Sequence, residues 1–112
     1  MKKRKMLTVQ PRAVQIHASG GTNVHKLVNT SMARLAFKIK STNNNEYRFK
    51  PIYGFIEPQS IHPIVIRKLP GEIREDTFII QYAEVTADCT DPKAPFKIDA
   101  LQGEIIVYAH SV

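Results

Sequence analysis

The clearest pattern in the chain is a two-residue alternation between Ala33 and Lys40. Ala33, Leu35, Phe37 and Ile39 fall on one side, and Arg34, Lys38 and Lys40 on the other. Successive side chains of a strand point to opposite faces, so this segment predicts a strand with one apolar and one cationic face. Glu46 to Lys50 repeats the pattern, with Tyr47 and Phe49 inside and Glu46, Arg48 and Lys50 outside. Asn43-Asn44-Asn45 suits the turn between them, because asparagine tolerates left-handed backbone and hydrogen-bonds to its own chain. Further strands are predicted at Leu7–Val9, Val14–Ile16, Val24–Val28, Ile61–Arg67, Thr77–Ala83 and Glu104–Tyr108, with Ile105 and Val107 of the last turned inward. The interior should include Leu35, Phe37, Ile39, Tyr47, Phe49 and Ile66.

Proline and glycine cut the chain into short pieces, among them Pro11, Gly20-Gly21, Pro51, Gly54, Pro58, Pro63, Pro70-Gly71 and Gly103. No window shows the period of a capped amphipathic helix. Many short strands separated by turn signals indicate an all-β sandwich or barrel. Residues 87–103, with Asp91-Pro92 and Ala94-Pro95, are expected to form a long loop.

Composition adds bounds. At 112 residues the chain is the size of one domain, and 43% hydrophobic residues suffice for a core without metals or disulfides. The single cysteine, Cys89, excludes an internal disulfide and fits a reducing compartment. No stretch approaches the ~20 apolar residues of a membrane span. No apolar signal core follows the basic run Lys2-Lys3-Arg4-Lys5, so a soluble, cytoplasmic protein is expected. Residues 1–6 are read as a basic, disordered N-terminus and 7–112 as the one folded domain. Asn29-Thr30-Ser31 matches a glycosylation acceptor, which without a secretory signal is a chance match.

The sequence offers little for catalysis. His17, His25, His62 and His110 form no HxH, HExxH or Cys/His cluster, whereas a zinc site needs three or four converging ligands. Cys89 has no local partner of the kind that activates a nucleophile. Gly20-Gly21 lacks a phosphate-cradling frame, and Ser19-Gly20 lacks the GxSxG elbow. The expectation is no enzyme, no metal and no cofactor.

Charge points to binding. Sixteen Lys+Arg against ten Asp+Glu give a net charge of +6. Arg34, Lys38, Lys40, Arg48 and Lys50 all take outward positions on two sequence-adjacent strands, with Glu46 the one anion among them. If the strands are neighbours in one sheet, cross-strand spacing of about 5 Å gathers these cations into a continuous patch. A field of one sign steers an acidic partner. A protein fits better than nucleic acid, since no stacking aromatics accompany the patch and no helix is available for the major groove.

Taken together, several segments resemble the major sperm protein (MSP) domain family of nematode sperm and of the VAP adaptor proteins. They are Leu7-Thr8-Val9-Gln10-Pro11, Asn29, Ser31 to Thr42, Tyr47, Pro51, Gly54-Phe55-Ile56-Glu57-Pro58 and Ile64-Val65-Ile66. The ending, with Tyr82 to Val85, Ala94-Pro95-Phe96 and Gly103 to Val107, is most similar to the small sperm-specific proteins of that family. The resemblance implies a single MSP domain over 7–112 with an immunoglobulin-like, PapD-like sandwich of seven strands. It also implies a non-enzymatic interaction protein of sperm, cytoskeleton-associated and placed in the cytoplasm or pseudopod, with other proteins or a second copy as partner. An alternative it implies is a receptor for acidic peptides bearing two phenylalanines. Lys38, Lys40, Ser41 and Thr42 match the adaptors' peptide groove. Where the adaptors carry Lys-Phe-Met this chain has Thr77-Phe78-Ile79, which implies weaker peptide affinity.

Overall fold

A computed structural model describes residues 5–112. The charges Lys2, Lys3 and Arg4 of the basic run lie outside the described residues, whereas Met6 packs against the core and its carbonyl accepts the Thr30 N–H at 3.0 Å. Among the described residues there are nine strands: β1 (Leu7–Gln10), β2 (Val14–Ile16), β3 (Gly21–Asn29), β4 (Arg34–Ser41), β5 (Tyr47–Lys50), β6 (Tyr53–Ile56), β7 (Ile61–Lys68), β8 (Glu75–Val85) and β9 (Gly103–Ser111). One short helix, α1 (Ala94–Lys97), interrupts the connection between the last two.

The strands form two layers. One sheet has the order β1-β3-β7-β5 and the other β2-β9-β8-β4-β6. All pairings are antiparallel except β2 with β9, which is parallel. Two of the passages between sheets are made within three residues or fewer, from β1 to β2 at cis Gln10–Pro11 and from β5 to β6 at cis Lys50–Pro51. Counted as one split strand each, these two pairs reduce the nine segments to the seven strands expected of an immunoglobulin-like sandwich.

The core lies where the alternation places it. Leu35, Phe37 and Ile39 of β4, Tyr47 of β5, Ile64 and Ile66 of β7, Phe78 and Ile80 of β8 and Ile105 and Val107 of β9 are buried. Phe37 is completely buried, at 0% exposure, and Phe49 is half-buried against the same cluster. Gly54 is required beside Phe37, because a Cβ there would stand 2.8 Å from two ring carbons.

Asn29 explains one of the motif residues physically. Its Nδ2 lies 2.8, 3.0 and 3.2 Å from the carbonyl oxygens of Ala33, Glu57 and Ile56. Its Oδ1 accepts from Ser31 N–H at 3.0 Å and Ser31 Oγ at 2.7 Å. This one buried amide therefore ties the end of β3, in the four-stranded sheet, to the start of β4 and the end of β6, both in the five-stranded sheet. Carbonyls left unpaired there would carry a desolvation penalty.

Candidate protein-binding faces

Strand β4 runs inside the five-stranded sheet between β8 and β6, so its outward positions are Arg34, Ala36, Lys38 and Lys40. Strand β5 pairs only with β7, in the other sheet. The expected continuous patch is therefore corrected: Lys38 and Lys40 emerge from one side of the sandwich, Arg48 and Lys50 from the other. The reason lies in the turn at 43–46 and in the core. Asn43 is buried and its Nδ2 donates to both Glu46 and Asp76, while Lys68 Nζ, with its side chain fully buried, reaches Glu46 Oε1 at 3.2 Å and Leu69 O at 2.8 Å. These contacts turn the chain across the sandwich rather than back along β4. The inward aromatics of β5 then face β8 instead of lying beside β4.

The individual cations are used differently. Arg34 Nε pairs with Glu57 Oε2 at 3.0 Å, and its Nη1 donates to the Thr86 and Cys89 carbonyls, each at 2.9 Å. Its guanidinium also lies 3.9 Å from the centroid of Phe55. With 18% of its side chain exposed, Arg34 clamps the β8–β9 connection onto the sheet, and its charge is already matched. Lys38 is half-buried with Nζ 5.5 Å from the Tyr53 ring, which Lys93 approaches at 5.4 Å and Phe96 of α1 at 6.0 Å. Lys40 is exposed and has no carboxylate partner among the described residues.

Ser41 and Thr42 close the end of this ladder. Ser41 Oγ accepts the Asn43 N–H at 2.9 Å. Thr42 N–H donates to Thr77 O at 3.0 Å, and Thr42 Oγ1 accepts the Thr77 N–H at 3.0 Å while donating to Asp76 Oδ1 at 3.4 Å. Asp76 is buried and is held by Arg74 at 3.1 Å and Asn43 at 3.2 Å. Hydrogen bonds from Asn43 and then Lys68 hold the Glu46 carboxyl below its usual range. Burial, followed by the charges of Asp76 and Glu46, pushes the Tyr47 hydroxyl up to about 12.

The comparisons with known proteins agree with this architecture. The model of the MSP (major sperm protein) domain matches residues 6–103. The chain belongs to the MSP domain family. Sperm-specific class P protein 31 of Caenorhabditis elegans is 47% identical over 102 residues, covering 91% of this chain and 95% of the relative. The solved structure of WR4, a C. elegans MSP family member, superposes with a TM-score of 0.94 at 46% identity, covering 97% of this chain and all of that one. A PapD-like domain of human CEP192 superposes at 0.65 with 11% identity, covering 100% of this chain and 90% of that one, and so shares the fold alone.

On the outer face of the five-stranded sheet of this MSP domain, two features were not foreseen. The expected loop at 87–103 contains α1, and the segment around it lies over the outer face of the five-stranded sheet. There Pro95, Phe96, Asp99 and Leu101 flank Lys38 and Lys40 around a cavity of about 130 Å³, with Asp99 not within ion-pair distance of either lysine. Pro95 early in the helix, with the Asp91 side chain accepting the Lys93 N–H at 3.0 Å, was the available signal. The second feature is an apolar strip beside Lys40. Ile79 lies in register with Lys40 on one side and Ile106 on the other, and Tyr108 stands opposite Thr77. Tyr108 is 70% exposed. Reading β9 with Ile105 and Val107 inward already put Ile106 and Tyr108 outward, and that was the signal for them. Of the Thr77-Phe78-Ile79 triplet, Phe78 is core, so only Thr77 and Ile79 reach this face.

Proposed function

We propose that this MSP domain is a non-enzymatic interaction module of the sperm cytoplasm, associated with the motile cytoskeleton, and that it docks acidic protein segments on the outer face of its five-stranded sheet. One observation carries the choice of face: Lys40, without a carboxylate partner among the described residues, lies directly beside the apolar strip of Ile79, Ile106 and Tyr108. Aliphatic and aromatic surface next to an unmatched cation suits a segment that alternates aromatic residues with carboxylates. The family relationship supports the sperm setting, since relatives such as Sperm-specific class P protein 31 are sperm-specific proteins. Lys38 adds a second positive charge, whereas Arg34 acts by fixing the neighbouring connection. Thr42 contributes by holding the end of β4 to β8.

Titrating a labelled acidic peptide with two phenylalanines into wild type and Lys38→Glu/Lys40→Glu protein tests this. Micromolar or weaker binding to wild type, about −8 kcal/mol or less in magnitude, and at least a tenfold loss in the variant are expected. Equal affinities would overturn the assignment of this face.

A further inference from the structure

The outer face of the four-stranded sheet has a composition that the proposed activity does not use. In the pairing register Val24 lies beside Val65 and Val28 beside Ile61, with Pro63 between them on β7. Val24 and Ile61 are 59% and 60% exposed. At one end of this aliphatic surface Lys50 stands beside Val65, and Arg48 stands directly opposite Arg67. Lys26 flanks the surface from β3. The remaining outward positions of its strands are Thr8, Gln10 and Thr22, so among the described residues these strands carry four outward cations and no carboxylate. None of the four takes part in an ion pair among the described residues.

We infer that this face is a second docking surface, which takes a protein segment carrying carboxylates next to aliphatic side chains. Like charges directly opposite on antiparallel strands are unfavourable. Arg48 eases this by donating Nη1 to Asn44 O at 2.6 Å and Tyr47 O at 2.9 Å, neither of which neutralises its charge, and an acidic partner relieves what remains. Exposed aliphatic surface continuous with it gives the partner apolar area to bury. A second copy of the chain is a poor occupant. A two-fold contact places a patch against itself, and here that sets four cations against four with no carboxylate between them. A lipid surface is also disfavoured, because the face lacks the Trp and Tyr that anchor proteins at membrane interfaces. The two docking surfaces lie on opposite sides of the sandwich, so one domain can hold two partners at once.

Residue-resolved NMR on the full chain distinguishes the outcomes. The probe is a peptide with one valine and one isoleucine among five glutamates, compared with an equal-charge peptide carrying glycine in place of both. Expected are amide shifts centred on 22–28, 48–50 and 61–67. At least a tenfold weakening in Lys50→Glu/Arg67→Glu is also expected, with no change in shifts at these residues in Lys38→Glu/Lys40→Glu. Val24→Thr, which keeps the strand preference of the position, should weaken binding several-fold, and the glycine peptide likewise. Several results would overturn the inference: no shifts on this face, equal binding by the charge-reversed variant, or equal binding of the glycine peptide. Shifts at these residues on raising protein concentration alone, or stronger binding there to phosphatidylserine vesicles than to the peptide, would overturn it too.

Discussion

The ring of Tyr47 meets the ring of Phe78 edge-on, with centroids 4.7 Å apart and planes at 76°. Tyr47 belongs to the four-stranded sheet and Phe78 to the five-stranded one, so the contact crosses the core. Phe49 approaches the same ring at 4.9 Å. Edge-to-face pairs of this kind add about 0.5–1.5 kcal/mol beyond their buried area. Because Tyr47 and Phe49 face inward toward β8, the residues alternating with them, Arg48 and Lys50, must emerge on the side away from Lys38 and Lys40.

Tyr47 also supplies a pH-dependent prediction. Its hydroxyl is buried with no hydrogen-bond partner among the described residues, and its pKa is pushed up to about 12. The unfolded value is about 10, so the folded state favours the neutral phenol. The stability this preference contributes is complete below about pH 10 and is lost as pH rises through about 12. Tyr47→Phe removes an unpaired buried hydroxyl and should be neutral or stabilising by about 1 kcal/mol near pH 7. It should also flatten the alkaline decline. Urea unfolding of both proteins from neutral to about pH 11 checks this, and a clear loss of stability at neutral pH in the variant would show that the hydroxyl has a partner.

Asn29→Asp is nearly isosteric and tests whether the buried amide is held by its donors. An aspartate would place acceptor oxygens against the carbonyls of Ala33, Ile56 and Glu57. A loss of about 2–4 kcal/mol is expected, more than the usual net value of a hydrogen bond, because a charge or an unpaired acceptor is buried. Chemical denaturation measures it, and a loss under about 1 kcal/mol would mean that the two sheets are not joined through this side chain.

The alternation from Ala33 to Lys40 and from Glu46 to Lys50 was legible because one-sided burial leaves a period-two record in the residues themselves. What it could not record was pairing. Both strands have apolar inner faces, and such faces can lie side by side or across a core with the same sequence. The decision rested on Asn43, Glu46, Lys68 and Asp76, whose contacts span up to 33 residues of chain. Arg34 likewise reads as a surface cation in its strand, and only the fold brings Glu57, Thr86 and Cys89 to it. The short strand Tyr53–Ile56 was not anticipated as a strand, because Gly54 breaks its pattern and its inward requirement is set by Phe37.

Arg34→Lys should fail to replace arginine. A lysine cannot supply a planar fork to Glu57 and two carbonyls together while stacking on Phe55. The expected result is faster hydrogen exchange and proteolysis in residues 86–91, at a global cost of about 1–2 kcal/mol. Unchanged protection there would show that the connection is held by other contacts.

The two components of the proposed docking face should separate by salt. Lys40 contributes through charge, which about 0.1 M salt screens beyond roughly 10 Å. Tyr108 and Ile106 contribute through apolar area, which moderate sodium chloride hardly alters. Lys40→Glu should therefore weaken an acidic diphenylalanine peptide and also flatten the fall of affinity with salt. Tyr108→Ala should weaken the same peptide by about tenfold, or about 1.4 kcal/mol, while leaving the salt slope as in wild type. Tyr108 is exposed and its removal leaves the core untouched, so thermal stability should be nearly unchanged. Fluorescence anisotropy over a series of salt concentrations reads both effects. If Tyr108→Ala binds as wild type does while Lys40→Glu does not, the peptide is held by charge alone and the apolar strip is not part of the site.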